Sequence, residues 1–181
     1  MTSTMTKLVA AFAFVLAGRH AQANDAFDAV KCGADVGAAL LGKHLDNGAV
    51  AAIEKKHSAL GLKHEGSDDV SDALSYENWT ICGGSYHFLV KGDVIRSVVR
   101  ADHSRNAPAF LGRCKLDGAP TSYAVFAVLK APDSGHASAG ESSLPAQNAW
   151  RIDEATAQFV PMSAAGLVCP RDGISTADGG P

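Results

Sequence analysis

Apolar and polar positions change their period along this chain. Residues 24–78 carry apolar side chains at helical spacing. "DVGAALLGK" (35–43) predicts a short helix rich in Ala and Leu. "NGAVAAIEKKHSALG" (47–61) predicts a longer one, with Val50, Ile53, His57 and Leu60 on one stripe and Glu54, Lys55 and Lys56 facing solvent. Asn47 is placed to cap its start and Gly61 to end it. "SDDVSDALS" (67–75) predicts a further turn or two, with Ser67 as cap and Asp68 and Asp69 at the positive end of the helix dipole.

From Trp79 the period becomes two. "WTICGGSYHFLV" and "DVIRSVVRA" predict a hairpin turning at Lys91-Gly92. That register sets Val90 against Asp93, Phe88 against Ile95, Tyr86 against Ser97 and His87 against Arg96. "TSYAVFAVLK" (121–130) is apolar on both faces, as a central strand is. "AWRIDE" and "QFVPM" (149–162) predict a second hairpin, whose return strand is an edge because Pro161 has no N–H to donate. Between these strands, residues 131–147 are rich in Ser, Gly and Pro and predict a loop, of a composition that suits a tether.

Helices first and strands later predict an α+β fold. Two or three N-terminal helices would pack on one face of a four- to five-stranded antiparallel sheet. Many small exported proteins, including some inhibitors of secreted enzymes, are similar in this architecture, but such a likeness carries over no functional residue.

The N-terminus sets the compartment. Lys7 precedes the apolar run "LVAAFAFVLA" (8–17), and "AQA" (21–23) places small residues where a signal peptidase reads them. Ten apolar residues cannot cross about 30 Å of hydrocarbon, which takes about 20. The reading is a cleaved signal over 1–23, a single domain over 24–172 and a flexible tail over 173–181. The leader takes Lys7 and Arg19 with it, leaving 14 basic against 19 acidic residues. A mildly acidic domain without basic clusters is a poor ligand for nucleic acid or for an anionic membrane. The expected location is periplasmic or secreted, with no membrane contact after signal cleavage.

Cys32, Cys82, Cys114 and Cys169 all follow the leader. An even count in an exported chain predicts two disulfides, and the absence of any C-x-x-C pair argues against zinc. Three pairings are possible. The favoured one joins Cys32 to Cys82, tying the N-terminal segment to the sheet, and Cys114 to Cys169, tying down the C-terminal segment.

Chemical motifs are sparse. "GGSYH" (83–87) is one residue from the nucleophile elbow G-x-S-x-G. The elbow needs glycine two residues after the serine and a helix directly behind it. Here His87 holds the glycine position and a strand follows, so Ser85 reads as a strand residue, and Gly83 and Gly84 as a bulge or a close backbone approach. No phosphate-binding glycine loop and no metal-ligand spacing occurs, so no cofactor is expected. His57 reads as a half-buried, hydrogen-bonded histidine and His64 as a loop residue. Asn78-Trp79-Thr80 is a glycosylation sequon that matters only in a eukaryotic host and reads as chance. His87, Arg96, Asp102 and His103 form one candidate polar cluster, able to hold an anion or to do acid–base work if they converge; otherwise they read as ordinary polar residues of a solvated sheet face, with His87 an exposed cross-strand residue.

Two functional classes follow. The first is a non-enzymatic exported binding or accessory domain with an unknown protein or small-molecule ligand. The second is a small exported hydrolase or lyase using His87, Arg96, Asp102 and His103. A structural accessory protein without any ligand site is a third reading.

Overall fold

The computed structural model describes residues 25–104, 107–130 and 143–170. The expected leader, the tail and residues 131–142 of the expected loop lie outside the described residues. The chain is mostly β, which corrects the α+β expectation: there are two antiparallel sheets, of four and seven strands. Among the described residues only two short α-helices accompany them, α1 (Val36–Leu40) and α2 (Val50–Lys56), with 3-10 turns at Ala26–Ala29, Asn47–Ala49 and Ser58–Leu60.

The first sheet is a meander of β1 (Lys63–Ser71), β2 (Leu74–Ile81), β3 (Gly84–Lys91) and β4 (Val94–Arg100), in that order. The expected third helix at 67–75 is therefore a hairpin turning at Asp72-Ala73. Its Ser and Asp residues are poor helix formers and good turn and edge residues. His64, expected in a loop, lies on β1. The remaining strands are β5 (Ala109–Gly112), β6 (Lys115–Leu116), β7 (Ala119–Pro120), β8 (Val125–Leu129), β9 (Ser143–Asp153), β10 (Gln158–Met162) and β11 (Leu167–Pro170). They run β5-β8-β9-β11-β6-β7, with β10 also on β9. β8 is buried at every position, as expected of a central strand. Among the described residues β10 pairs only with β9, so Pro161 does lie on an edge. Residues 143–147, expected in the loop, open β9.

Alternation along the strands builds three cores. Trp79, Ile81, Tyr86, Phe88, Val90 and Ile95 face the helical segments, packing on Phe27, Val36, Leu40 and Ile53. The neighbouring positions Leu74, Tyr76 and Leu89 point the other way, onto Phe126, Val128, Ile152 and Phe159 of the second sheet. Val125, Ala127 and Leu129 form the third core with Leu144, Leu167 and the Cys114–Cys169 pair. The sheets also meet edge to edge: the Phe159 N–H donates to Ser97 Oγ at 3.2 Å, and Gln158 Nε2 donates to the Arg96 carbonyl at 2.8 Å.

Cys32 joins Cys82 and Cys114 joins Cys169, the favoured pairing. The two bonds differ in setting. Cys114 and Cys169 are buried, whereas Cys32 is exposed and Cys82 half-buried.

Among the described residues three tight turns have two central residues with positive φ: Cys82-Gly83, Gly92-Asp93 and Asp117-Gly118. This is the type I′ geometry whose twist matches that of paired strands. Two expectations change as a result. The β3–β4 hairpin turns at Gly92-Asp93, not Lys91-Gly92, so Lys91 faces Val94. Gly83 is a turn residue, not a bulge, and Gly84 opens β3 beneath Arg100, whose Nε lies 3.0 Å from where a Cβ would sit. Gly83→Val is expected to cost about 1–2 kcal/mol, because a β-branched residue must hold φ +76°. Gly84→Ala should cost less, because the exposed Arg100 side chain can swing aside. Urea unfolding of the two variants checks the order. Ser85 is a β3 residue, as expected.

Candidate functional site

The polar cluster expected from the sequence is only partly assembled. His87 is fully buried between the sheets, not on a solvated face as expected. The face was misread because the second sheet that covers it was not foreseen. His87 faces Val99 across the ladder. Arg96 is the extra residue of a bulge in β4, where Leu89 pairs with Ser97 and Val90 with Ile95, so the expected His87–Arg96 pair does not form.

The partners of His87 fix its tautomer. Nε2 lies 3.0 Å from the Ala101 carbonyl, which can only accept, so Nε2 carries the proton. Nδ1 then accepts from the Tyr76 hydroxyl at 2.6 Å. The ring also packs 4.3 Å from Phe126 and 5.4 Å from His103, centroid to centroid. Burial pushes the His87 pKa down to about 3 and that of Tyr76 well above its ordinary range. His87 is thus a neutral, doubly satisfied core histidine.

Asp102 and His103 lie beside it at the end of β4. Asp102 Oδ1 accepts the Ser85 N–H at 2.9 Å, and Oδ2 pairs with Arg100 Nη2 at 3.3 Å. The Ser85 bond, with Arg100, holds the Asp102 carboxyl below its usual range. The arginine that pairs with Asp102 is thus Arg100, which lies opposite Tyr86, and not Arg96. His103 Nδ1 is buried without a hydrogen-bond partner among the described residues.

Other titratable groups gather on the helical side. His57 Nε2 lies 2.9 Å from Asp25 Oδ2, with the ring half-buried as expected. Asp25, Asp28 and His57 could in principle surround a metal ion. The Lys56 ammonium already takes a cation's place there, 2.6 Å from Asp28 and 3.6 Å from Asp25. Asp25 also caps the Ala26–Ala29 turn through the Phe27 N–H. The group is a latch between the N-terminal segment and α2. Nearby, His64 Nε2 meets buried Glu77 at 2.8 Å, and its ring packs on Trp79. Asn78, the sequon residue, is buried on β2, where a glycan has no room.

Alongside α2 a cleft of about 690 Å³ opens between that helix, residues 44–46 and the tip of the β3–β4 hairpin. Leu45, Ile53 and Val90 form its apolar floor, with Ala49 and Ala52 on the helical wall. Asp46, Asp93, His44, Asp25 and Lys56 carry its polar groups. The wall is well anchored: the Leu45 N–H donates to the Asp93 carbonyl at 2.8 Å, and His44 Nδ1 meets Asp93 Oδ2 at 3.1 Å. The volume falls within the roughly 300–1,000 Å³ of small-molecule sites. Sequence reading missed these residues, which come from five separate segments with no shared local motif.

Comparison of the chain with protein-family models, curated proteins and solved structures finds no match. Its two disulfides are compatible with an oxidising extracellular environment. Among the described residues no helix is long and apolar enough to cross a membrane.

Proposed function

We propose that the chain is a small exported binding domain with no catalytic activity of its own, and that its ligand occupies the cleft beside α2. The observation that carries this reading is the cleft itself: concave, apolar at its floor and polar at its rim. The hydrolase or lyase reading loses support because His87, its expected base, is buried with both nitrogens engaged. Export is supported by the leader-like N-terminus and by the disulfides. Whether the natural ligand is a small molecule or a protein side chain, the same seat receives it.

Blocking the cleft tests the proposal. Ala52 is exposed on α2 and lines the wall, so Ala52→Trp should fill space without disturbing a core, at a cost within about 0.5 kcal/mol. A ligand at a hundred times its Kd stabilises the folded state by about 2.7 kcal/mol. In a thermal-shift screen of small molecules, hits should raise the Tm of the wild type and leave that of Ala52→Trp unchanged. Turnover of chromogenic ester, phosphate or glycoside substrates by the wild type, abolished in His103→Ala, would instead make the protein an enzyme.

A further inference from the structure

We infer that the cleft beside α2 takes an organic cation with an apolar body; the inference rests on the reading of that cleft as the ligand seat. Three carboxylates line it, Asp25, Asp46 and Asp93, against one ammonium, Lys56. The carboxylates thus outnumber the ammonium by two. The single ammonium is committed, since Lys56 Nζ sits 2.6 Å from Asp28 and 3.6 Å from Asp25. An anionic ligand would therefore meet no uncommitted cation among the lining residues.

A cation meets the opposite situation. Asp46 uses Oδ1 on the Gly48 N–H, and Asp93 uses Oδ2 on His44. Each carboxylate has a second oxygen, with two lone-pair sites, to offer. Between and below them lie Leu45, Ile53 and Val90, which are buried and give an alkyl or aryl group a surface to cover. The ligand's apolar body therefore lies along α2, and its ammonium head sits at the rim between Asp46 and Asp93. Side chains at that rim are well exposed, 63% for Asp93. The charge term is therefore modest and screened by salt, and it sets the sign of selectivity more than the affinity.

A matched set of probes separates the two terms. Phenylbutylammonium, phenylbutanol and phenylbutanoate share one body and differ in the head. Each is titrated into the oxidised, isotope-labelled protein, with affinity read from amide chemical shifts. At about 0.02 M salt the ammonium should bind at least fivefold more tightly than the alcohol, and the alcohol more tightly than the carboxylate. Shifts should centre on Ala49, Ala52, Ile53, Val90 and Asp93. At about 0.5 M salt the three affinities should converge. Asp46→Asn with Asp93→Asn should also bring them together while leaving phenylbutanol binding unchanged. Asn keeps the cap at residue 46 and tolerates the positive φ at residue 93. If the double variant does not fold, Asp93→Asn alone makes the same comparison. Carboxylate binding equal to or tighter than that of the ammonium overturns the cation assignment and leaves the cleft as a seat. The absence of shifts at the cleft with all three probes overturns both.

Discussion

His87→Ala is expected to lose about 3–5 kcal/mol of stability in denaturant unfolding. The substitution leaves two buried partners stranded, the Tyr76 hydroxyl and the Ala101 carbonyl. An orphaned buried polar group costs about 1–3 kcal/mol. It also removes a ring packed 4.3 Å from Phe126 and opens a void between the sheets. Had His87 been an exposed cross-strand residue, as the sequence suggested, the loss would be about 0.2–1 kcal/mol. The same residue makes the protein acid-sensitive. Its folded pKa, about 3, lies below the ordinary 6.5, so as pH falls the unfolded chain takes up the proton first. Stability should be unaffected by this group above pH 6.5, and it should decline between there and about pH 3. The decline is on the order of 3–5 kcal/mol, one proton's worth of slope. In His87→Ala that share of the slope should vanish. A wild-type stability curve no steeper than the variant's across this window would mean that His87 is not buried neutral.

Removing the inner disulfide should be nearly as costly. Cys114–Cys169 closes a span of 55 residues, worth about 4 kcal/mol in the chain-entropy model. Both cysteines are buried in the third core, so Cys114→Ala with Cys169→Ala also loses packing there. A Tm drop of many degrees is expected, with the second sheet most affected. Reduction should follow a fixed order, because thiol exchange needs access to a sulfur. The exposed Cys32 end should let Cys32–Cys82 open first under mild reductant, while Cys114–Cys169 stays closed until the sheet unfolds. Peptide mapping after timed alkylation reads this order. Simultaneous loss of both bonds in the folded protein would contradict the burial described here.

Some of this architecture was legible in the residues themselves. The stripe Val50, Ile53, His57 and Leu60 does mark a helical stretch that Gly61 ends at φ +58°, but it breaks into α2 and two 3-10 turns, and Asp46 rather than Asn47 caps its start. The run 125–129 is a central strand, and Pro161 lies on an edge. Other parts lacked a local signal. Residues 67–75 are polar because they lie at a sheet edge, and without apolar alternation they mimic a capped helix. His87 occupies a strand face whose burial depends on Phe126, Trp150 and Phe159, far along the chain. Its ladder partner was missed because the turn lies one residue further on and β4 carries a bulge at Arg96. The cleft residues Asp25, Asp46, Lys56, Ser75 and Asp93 converge only through tertiary folding.

The strand order also bears on how the molecule is made. A growing chain emerges N-terminus first. Every strand of the first sheet pairs with its sequence neighbour, so that sheet is complete in principle once Arg100 is out. Cys32 and Cys82 can meet by then. The second sheet must wait, because β6 at 115–116 pairs with β11 at 167–170. Long-range pairings of this kind are slow. In the interval the half-made molecule shows Leu74, Tyr76 and Leu89 on a bare face, the moment of greatest exposure to aggregation. The same order bears on fidelity: if Cys32–Cys82 closes before Cys114 and then Cys169 arrive, the last two thiols have only each other to pair with.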